Sequence, residues 1–333
     1  ALTESGSLFN PRQERHMHEK KFTIFGSHAT KSAVERAAEI IFTACGLLAG
    51  VAVFSITLYM IISGTPALFK VGVPEILFGT VWKPTGNPAS FGILYVILTS
   101  IVGTFLAILI GVPVGVMTAV FLAEVAPKKL ANVVRPAVEL LAGIPSVIYG
   151  LWGGLILVPA IYPFWNWVAN HLGFIPLFEG PAANPPRTVA TVAVVLAVMI
   201  LPIITSMSRD IFMQTPRLHE EAALALGATK WEMIRLAVLP FGKSGIVSAS
   251  MLALGRALGE TMAVLMILSP GLNYSIKLLQ ASQNQTIAAN IAAQYPEAND
   301  LGVSTLIGTG LILFLITFVV NFIARKLTEK ATA

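Results

Sequence analysis

Six apolar runs, each long enough to cross a bilayer, alternate with short basic gaps along the chain. A transmembrane helix needs about 20 consecutive apolar residues. The runs extend approximately from Ala37 to Ile62, Phe91 to Ala123, Pro136 to Tyr162, Thr188 to Met207, Ser244 to Leu268 and Val303 to Ala324. Gly and Pro interrupt the second and third, which predicts bends or breaks there. Only 12% of the 333 residues are charged, against about 25% in a soluble globular domain. A mean hydropathy of +0.77 agrees that lipid is the main solvent. The first run starts too far along the chain, and is too long, to read as the apolar core of a secretory leader.

The basic residues give the spans a direction. On one side lie Arg12, Arg15, Lys20, Lys21, Lys31 and Arg36 before the first run, and Lys128, Lys129 and Arg135 after the second. Arg209, Arg217, Lys230, Arg235 and Lys243 follow the fourth, and Arg325, Lys326 and Lys330 follow the sixth. The opposite side holds Lys70, Lys83, Arg187 and Lys277. Positive residues favour the cytoplasmic face, so both termini are expected there. The chain then divides into a polar cytoplasmic tail, residues 1–30, and a transmembrane domain, residues 31–333. The net charge of +5 does not indicate nucleic acid, because it is spread over these gaps and not over a soluble face. Cys45 is the only cysteine, which excludes an intramolecular disulfide and a cysteine-based metal site. The five histidines show no metal-ligand spacing. Trp165, Trp167 and Phe174, in the external stretch after the third run, suit a membrane interface. Asn273-Tyr274-Ser275 and Asn284-Gln285-Thr286 match the glycosylation acceptor pattern, a match too short to carry weight.

The gap between runs four and five, about residues 210–240, is dense in local signals. Thr215 is placed to cap a helix beginning at Pro216, with Glu220 and Glu221 near its positive end. Ala222, Ala223 and Ala225 keep that helix thin enough to enter a groove on another protein. Gly227 is placed to end it in a left-handed turn. Thr229 and Glu232 then form a capping box that starts another helix. Gly242-Lys243-Ser244 looks like the end of a phosphate-binding loop, but the spacing requires Gly where Ala237 stands, and no strand precedes it. No HExxH or nucleophile-elbow pattern supports an intramembrane enzyme.

Two strings place charge where charge is costly. Arg256 lies twelve residues into the fifth run, roughly 18 Å along a helix that starts at Ser244. A charge at that depth costs about 2.5–3.5 kcal/mol on the insertion scale. Glu260, four residues on, shares its face if the helix continues. The two form either a structural pair that staples the bundle or an anion site, in which the guanidinium gives phosphate two parallel hydrogen bonds. Arg135 and Glu139 repeat the spacing at the start of the third run and read as a structural pair closing the inner end. Pro145 should bend that run, and Ser146 is placed to satisfy the freed backbone or to touch a substrate. Gly245, Ser248, Gly255 and Gly259 read as small residues for close helix packing.

Glu221-Ala222-Ala223, Gly227 and Leu239-Pro240 resemble the EAA loop of ABC importer permeases. The hydrophobic residue usual two before Leu-Pro is replaced here by Ala237. Arg256-Ala-Leu-Gly-Glu260 is shared by importers of phosphate, sulfate and molybdate. Its continuation Thr261-Met262-Ala263, together with the stretch from Arg135 to Gly150, resembles the phosphate branch. Phe78-Gly79-Thr80-Val81-Trp82, followed by Pro84, and Phe121-Leu122-Ala123-Glu124 resemble its C-type subunit. The likeness runs from about Ala37 to Arg325. It implies an all-α polytopic membrane protein of the MetI-like fold, with a coupling helix between spans four and five that docks on a separate ATPase. It implies four partners in the bacterial inner membrane system: a homologous A-type permease, an ATPase dimer that binds ATP and magnesium, an external phosphate-binding protein, and the bilayer. The substrate pathway would include Arg256, Glu260, Thr261 and Ser146; Arg135 and Glu139 would form an inner gate or structural pair. Glu220, Glu221, Ala222, Ala223 and Gly227 would carry coupling. This chain would bind no cofactor and hydrolyse no ATP. The alternatives are import of sulfate or molybdate, and a gradient-driven anion channel or transporter.

Overall fold

A computed structural model describes residues 33–84, 89–269, 271, 277–281 and 285–332. The predicted tail, residues 1–30, and both glycosylation patterns fall wholly or partly outside the described residues. Among the described residues, six helical stretches are long and apolar enough to cross a membrane: Glu35–Val71, Leu94–Val125, Ser146–Leu172, Val189–Phe212, Lys230–Leu258 and Asp300–Lys326. The chain divides into two units, Ala1–Ile56 and Thr57–Ala333. In the first, helix α1 (Ala33–Val71) begins, and Ile41, Leu48 and Phe54 of its apolar surface are exposed. The elements below belong to the second.

Helix α2 (Val73–Phe78) leads into a hairpin of β1 (Trp82–Lys83) and β2 (Ser90–Phe91), antiparallel with Trp82 opposite Phe91. Their rings meet edge to face at 5.8 Å. Helix α3 (Leu94–Val120) is span two, and α4 (Lys128–Ala142) follows it. Span three is built from α5 (Ser146–Trp152) and α6 (Val158–Leu172), and span four is α7 (Val189–Phe212). After α8 (Arg217–Ala225) and α9 (Lys230–Met233) comes α10 (Leu239–Leu258), then the short α11 (Met262–Ile267) and α12 (Ile287–Gln294). Helix α13 (Asp300–Thr332) supplies span six.

Helix α7 sits at the centre. It is apolar on all sides, the mark of a helix surrounded by protein, and Val195, Ile200, Ile204 and Phe212 are fully buried. Small residues let its neighbours approach. A Cβ at Gly111 of α3 would lie 2.9 Å from Ile200 Cδ1, and one at Gly115 would lie 2.8 Å from Ile204 Cγ2. Gly245 of α10 meets Ile211 in the same way. Gly255, also read as a packing residue, has nothing within 4 Å and faces a cavity instead.

The third span differs from its sequence boundaries. The expected run from Pro136 to Tyr162 is cut at Gly143-Ile144-Pro145, and the span is Ser146–Leu172. Pro145 takes an extended ψ of 136° at the N-cap of α5, since proline has no N–H to continue the preceding helix. Arg135 and Glu139 therefore lie on α4, a separate amphipathic helix, and not at the start of span three. Trp165 and Trp167 extend the span instead of lying in a loop, and Trp165 is buried with its Nε1 donating to Thr191 Oγ1 at 2.9 Å.

Among the described residues, single π-turns lie at Phe121–Val125, Gly153–Leu157 and Ile234–Val238. Proline stands two residues beyond each, as Pro127, Pro159 and Pro240. The residue before each proline donates five residues back, Ala126 to Phe121, Val158 to Gly153 and Leu239 to Ile234. At Pro159 and Pro240, where the helix continues, the wider ring relieves the clash between the proline and the carbonyl four residues earlier; at Pro127 the chain has already left the helix through the extended Ala126.

Span one and span six meet backbone to backbone at Gly64 and Gly308, where a Cβ on Gly64 would lie 2.8 Å from Gly308 Cα. Ser304 Oγ donates to Ser63 O at 2.6 Å beside them. Gly64→Val should force the helices apart at a cost of about 1–3 kcal/mol. Thermal unfolding of the detergent-solubilised chain should show a lower midpoint for Gly64→Val, with little change for Gly50→Val, whose Cβ meets nothing within 4 Å.

Candidate functional site

Span five is broken where the sequence places its charges. Helix α10 ends at Leu258, Gly259 serves as its C-cap, and α11 restarts at Met262. Glycines at 255 and 259 weaken the helix here, and a carboxylate at the break competes for free backbone donors. Glu260 is only 7% exposed, and its Oε1 accepts from Ala263 N at 3.1 Å. Thr261 Oγ1 donates to Gly259 O at 3.2 Å. The expected shared helical face of Arg256 and Glu260 therefore does not form, and among the described residues neither makes an ion pair. The staple needed an unbroken helix; the break assigns Glu260 to the start of α11 and leaves Arg256 in the last turn of α10. Each charge sits at the helix end whose dipole favours it.

Arg256 lines a cavity of about 720 Å³ between α10 and α13, shared with Gly255, Asn321 and Arg325. Arg256 Nε is buried and has no hydrogen-bond partner among the described residues. Tyr149 of span three lies within electrostatic reach of Arg256, and its hydroxyl donates to Leu141 O at 2.8 Å. That bond adds a side-chain donor to a carbonyl that also accepts from Ile144 N at 3.3 Å, and it ties α4 to span three. Ser146, half-buried, is the first residue of α5.

Arg135 and Glu139 form the expected pair, Nε to Oε1 at 2.8 Å, with both side chains about half exposed. The bond to Glu139 raises the Arg135 pKa above its ordinary value. A small cleft joins the pair to Thr205 and Arg209. Sequence reasoning assigned Arg209 to a loop; it lies in the last turn of α7, only 6% exposed. Arg209 Nη1 contacts Asp210 Oδ1 at 3.0 Å, while its Nε has no partner among the described residues. Asn321 and Arg325 were also not singled out, because their place beside Arg256 depends on the packing of spans five and six.

The loop between spans four and five folds as its chemistry directs, except at its start. Pro216, and not Thr215, is the N-cap of α8, without a side-chain bond. Thr215 N donates to Phe212 O at 3.0 Å, so Thr215 completes the turn of α7 and its hydroxyl points inward. Gly227 has φ +85°. Ala228 N donates to Ala223 O at 3.2 Å and Gly227 N to Leu224 O at 3.0 Å, the two bonds of a Schellman ending. Thr229 Oγ1 accepts from Glu232 N at 3.3 Å while Glu232 Oε2 accepts from Thr229 N at 2.7 Å. Glu221 and Ala222 are exposed, Glu220 and Ala223 half-buried. Leu218, Leu226 and Trp231 are exposed apolar residues around this elbow, Leu226 being 90% exposed.

A sequence profile of the family described as "Binding-protein-dependent transport system inner membrane component" matches residues 111–332. "Phosphate transport system permease protein PstC 2" of Mycobacterium tuberculosis is 38% identical over 297 residues, covering 88% of this chain and 91% of that protein. "Phosphate transport system permease protein PstC" of Xylella fastidiosa is 41% identical over 293 residues, covering 86% and 88%. Among solved structures, a chain of the bacterial alginate ABC transporter in complex with its pentasaccharide-bound periplasmic protein superposes with a TM-score of 0.60. That match covers 90% of this chain and 98% of the other at 17% identity, a likeness of fold alone.

The elbow between α8 and α9 depends on the positive φ of Gly227. A β-branched residue there costs roughly 1–2 kcal/mol. Amide exchange across residues 222–232 should therefore run about five- to thirtyfold faster in Gly227→Val. Spans two and four should keep their protection, which separates a local effect from general unfolding.

Proposed function

Because this chain belongs to the binding-protein-dependent transport inner-membrane components, and within them to the PstC family of permeases, we propose that it forms half of the translocation pathway of an ATP-driven phosphate importer. It is a non-catalytic permease subunit. In this reading a homologous A-type permease supplies the other half. ATP and magnesium are bound by a separate ATPase dimer, and phosphate arrives on an external binding protein. The elbow from Arg217 to Glu232 is the element that docks on the ATPase. Its support is the exposed apolar set Leu218, Leu226 and Trp231 on a turn fixed by Gly227 and the Thr229–Glu232 box. Both termini lie on the cytoplasmic side, as the charge distribution favours.

The observation that carries the substrate reading is Arg256. A guanidinium inside a span, with no ion pair among the described residues, faces a cavity, and such residues mark ion and substrate routes. Guanidinium suits an oxyanion because its planar fork gives two parallel hydrogen bonds. Thr261, at the same break, and Ser146, at the start of span three, complete the proposed pathway. Glu260 acts on it by fixing the start of α11. Arg135 and Glu139, beside Arg209, belong to the inner gate.

Arg256→Gln should leave assembly of the whole complex intact, since no described ion pair is broken. ATP-driven phosphate uptake into vesicles should fall at least about a hundredfold, as expected when two charge-assisted bonds are lost. Arg256→Lys should fall between, keeping charge without the fork. Uptake close to that of the unaltered complex in Arg256→Gln, or in the double variant Arg256→Gln with Glu260→Gln, would remove Arg256 from the pathway.

A further inference from the structure

The cavity that holds Arg256 does not end there. It runs between α10 and α13 to Arg325, near the end of span six, with Met251, Leu252, Phe318 and Phe322 as apolar walls and Asn321 between the two arginines in sequence and polarity. We propose that Asn321 and Arg325 form a second station for the phosphate ion, at the cytoplasmic mouth of this cavity, which receives the ion after it leaves Arg256. The proposal rests on the reading of Arg256 as a pathway residue.

Three observations carry it. Arg325 shares one cavity with Arg256 although it comes from another helix, and it makes no ion pair among the described residues. Two cations of one sign along one open groove attract an anion more strongly than either alone. Asn321 Oδ1 is buried and has no donor among the described residues. An orphaned acceptor needs a hydroxyl or amine. Hydrogen phosphate carries a hydroxyl at neutral pH; sulfate and a lipid phosphodiester do not. The Asn321 amide can accept from that hydroxyl through its oxygen or donate to a phosphate oxygen through Nδ2, so it can hold the ion in either orientation. Finally, the volume of about 720 Å³ is roughly twenty times the ~30 Å³ share of one water. The ion would keep part of its hydration there, so the station binds weakly. A pathway requires that, since each site must release what it takes.

The test uses the complete complex, with both permeases, ATPase and binding protein, in vesicles, and normalises uptake to assembled complex. Arg325→Gln and Asn321→Leu should each lower maximal ATP-driven phosphate uptake about tenfold, the size expected for losing one hydrogen bond to a charged group. Half-saturation by external phosphate should not move, because that step lies upstream. Arg325→Lys should recover most of the rate, which a purely structural role would not require. Asn321→Asp should be worse than Asn321→Leu, because it repels the anion. Unchanged uptake in Arg325→Gln and Asn321→Leu would overturn the station while leaving Arg256 in place if Arg256→Gln still fails. Normal uptake in Arg256→Gln as well would overturn both. A loss of assembly in the Arg325 and Asn321 variants would make the cavity a subunit contact and overturn the proposal. So would a defect present in vesicles containing phosphatidylglycerol and absent in pure phosphatidylcholine, which would assign the site to a lipid headgroup.

Discussion

Inside a bilayer a backbone amide has no water to turn to, so every break in a helix must find its own hydrogen-bond partners. The architecture of this chain follows from how it meets that demand. Before Pro127, Pro159 and Pro240 the ring widens by one residue and the donor before the proline reaches five residues back, at Ala126, Val158 and Leu239. Where span five breaks at Gly259, Glu260 accepts the free Ala263 amide. Where α4 stops, the Leu141 carbonyl accepts from the Ile144 amide and from the Tyr149 hydroxyl. The break in span five matters most. By occupying Glu260 it leaves Arg256 without a carboxylate partner, at the end of a helix whose dipole tolerates its charge.

The same economy gives the cytoplasmic loop its shape. A Schellman ending at Gly227 and a capping box at Thr229 close the two facing helix ends within a few residues. The elbow is held by its own backbone and carries apolar residues outward. In the proposed docking role such closure matters, because a floppy turn would absorb the displacement. Near it, Arg209 is buried at the end of α7 beside the Arg135–Glu139 pair. A change at the loop therefore has a short path to the inner end of the bundle.

Much of this was legible in the sequence. The spans follow from length and hydropathy, Gly227 from its place after an alanine-rich helix, and the Thr229–Glu232 box from its spacing. Span three was not legible in its boundaries, because Leu140 and Leu141 extend an apolar run across what is the outer face of an amphipathic helix. The pairing of Arg256 with Glu260 assumed that a spacing of four means one helix, which fails when the chain is broken between them. Thr215 was misplaced by one residue because its amide closes the last turn of α7 and its hydroxyl turns inward, away from the start of α8. Asn321 and Arg325 stand far along the chain from Arg256, and only the packing of α13 on α10 brings them to one cavity. No periodicity or motif carries that information.

The proposed pathway lined by Arg256 is driven by a separate ATPase and takes phosphate. Its most direct measurement is uptake of radiolabelled phosphate into vesicles that contain the reconstituted complex, with ATP, with a hydrolysis-resistant ATP analogue, and with only an imposed ion gradient. Accumulation is expected only with hydrolysable ATP and loaded binding protein, with little competition from excess sulfate or molybdate. Accumulation driven by the gradient alone, or equal transport of sulfate, would contradict it.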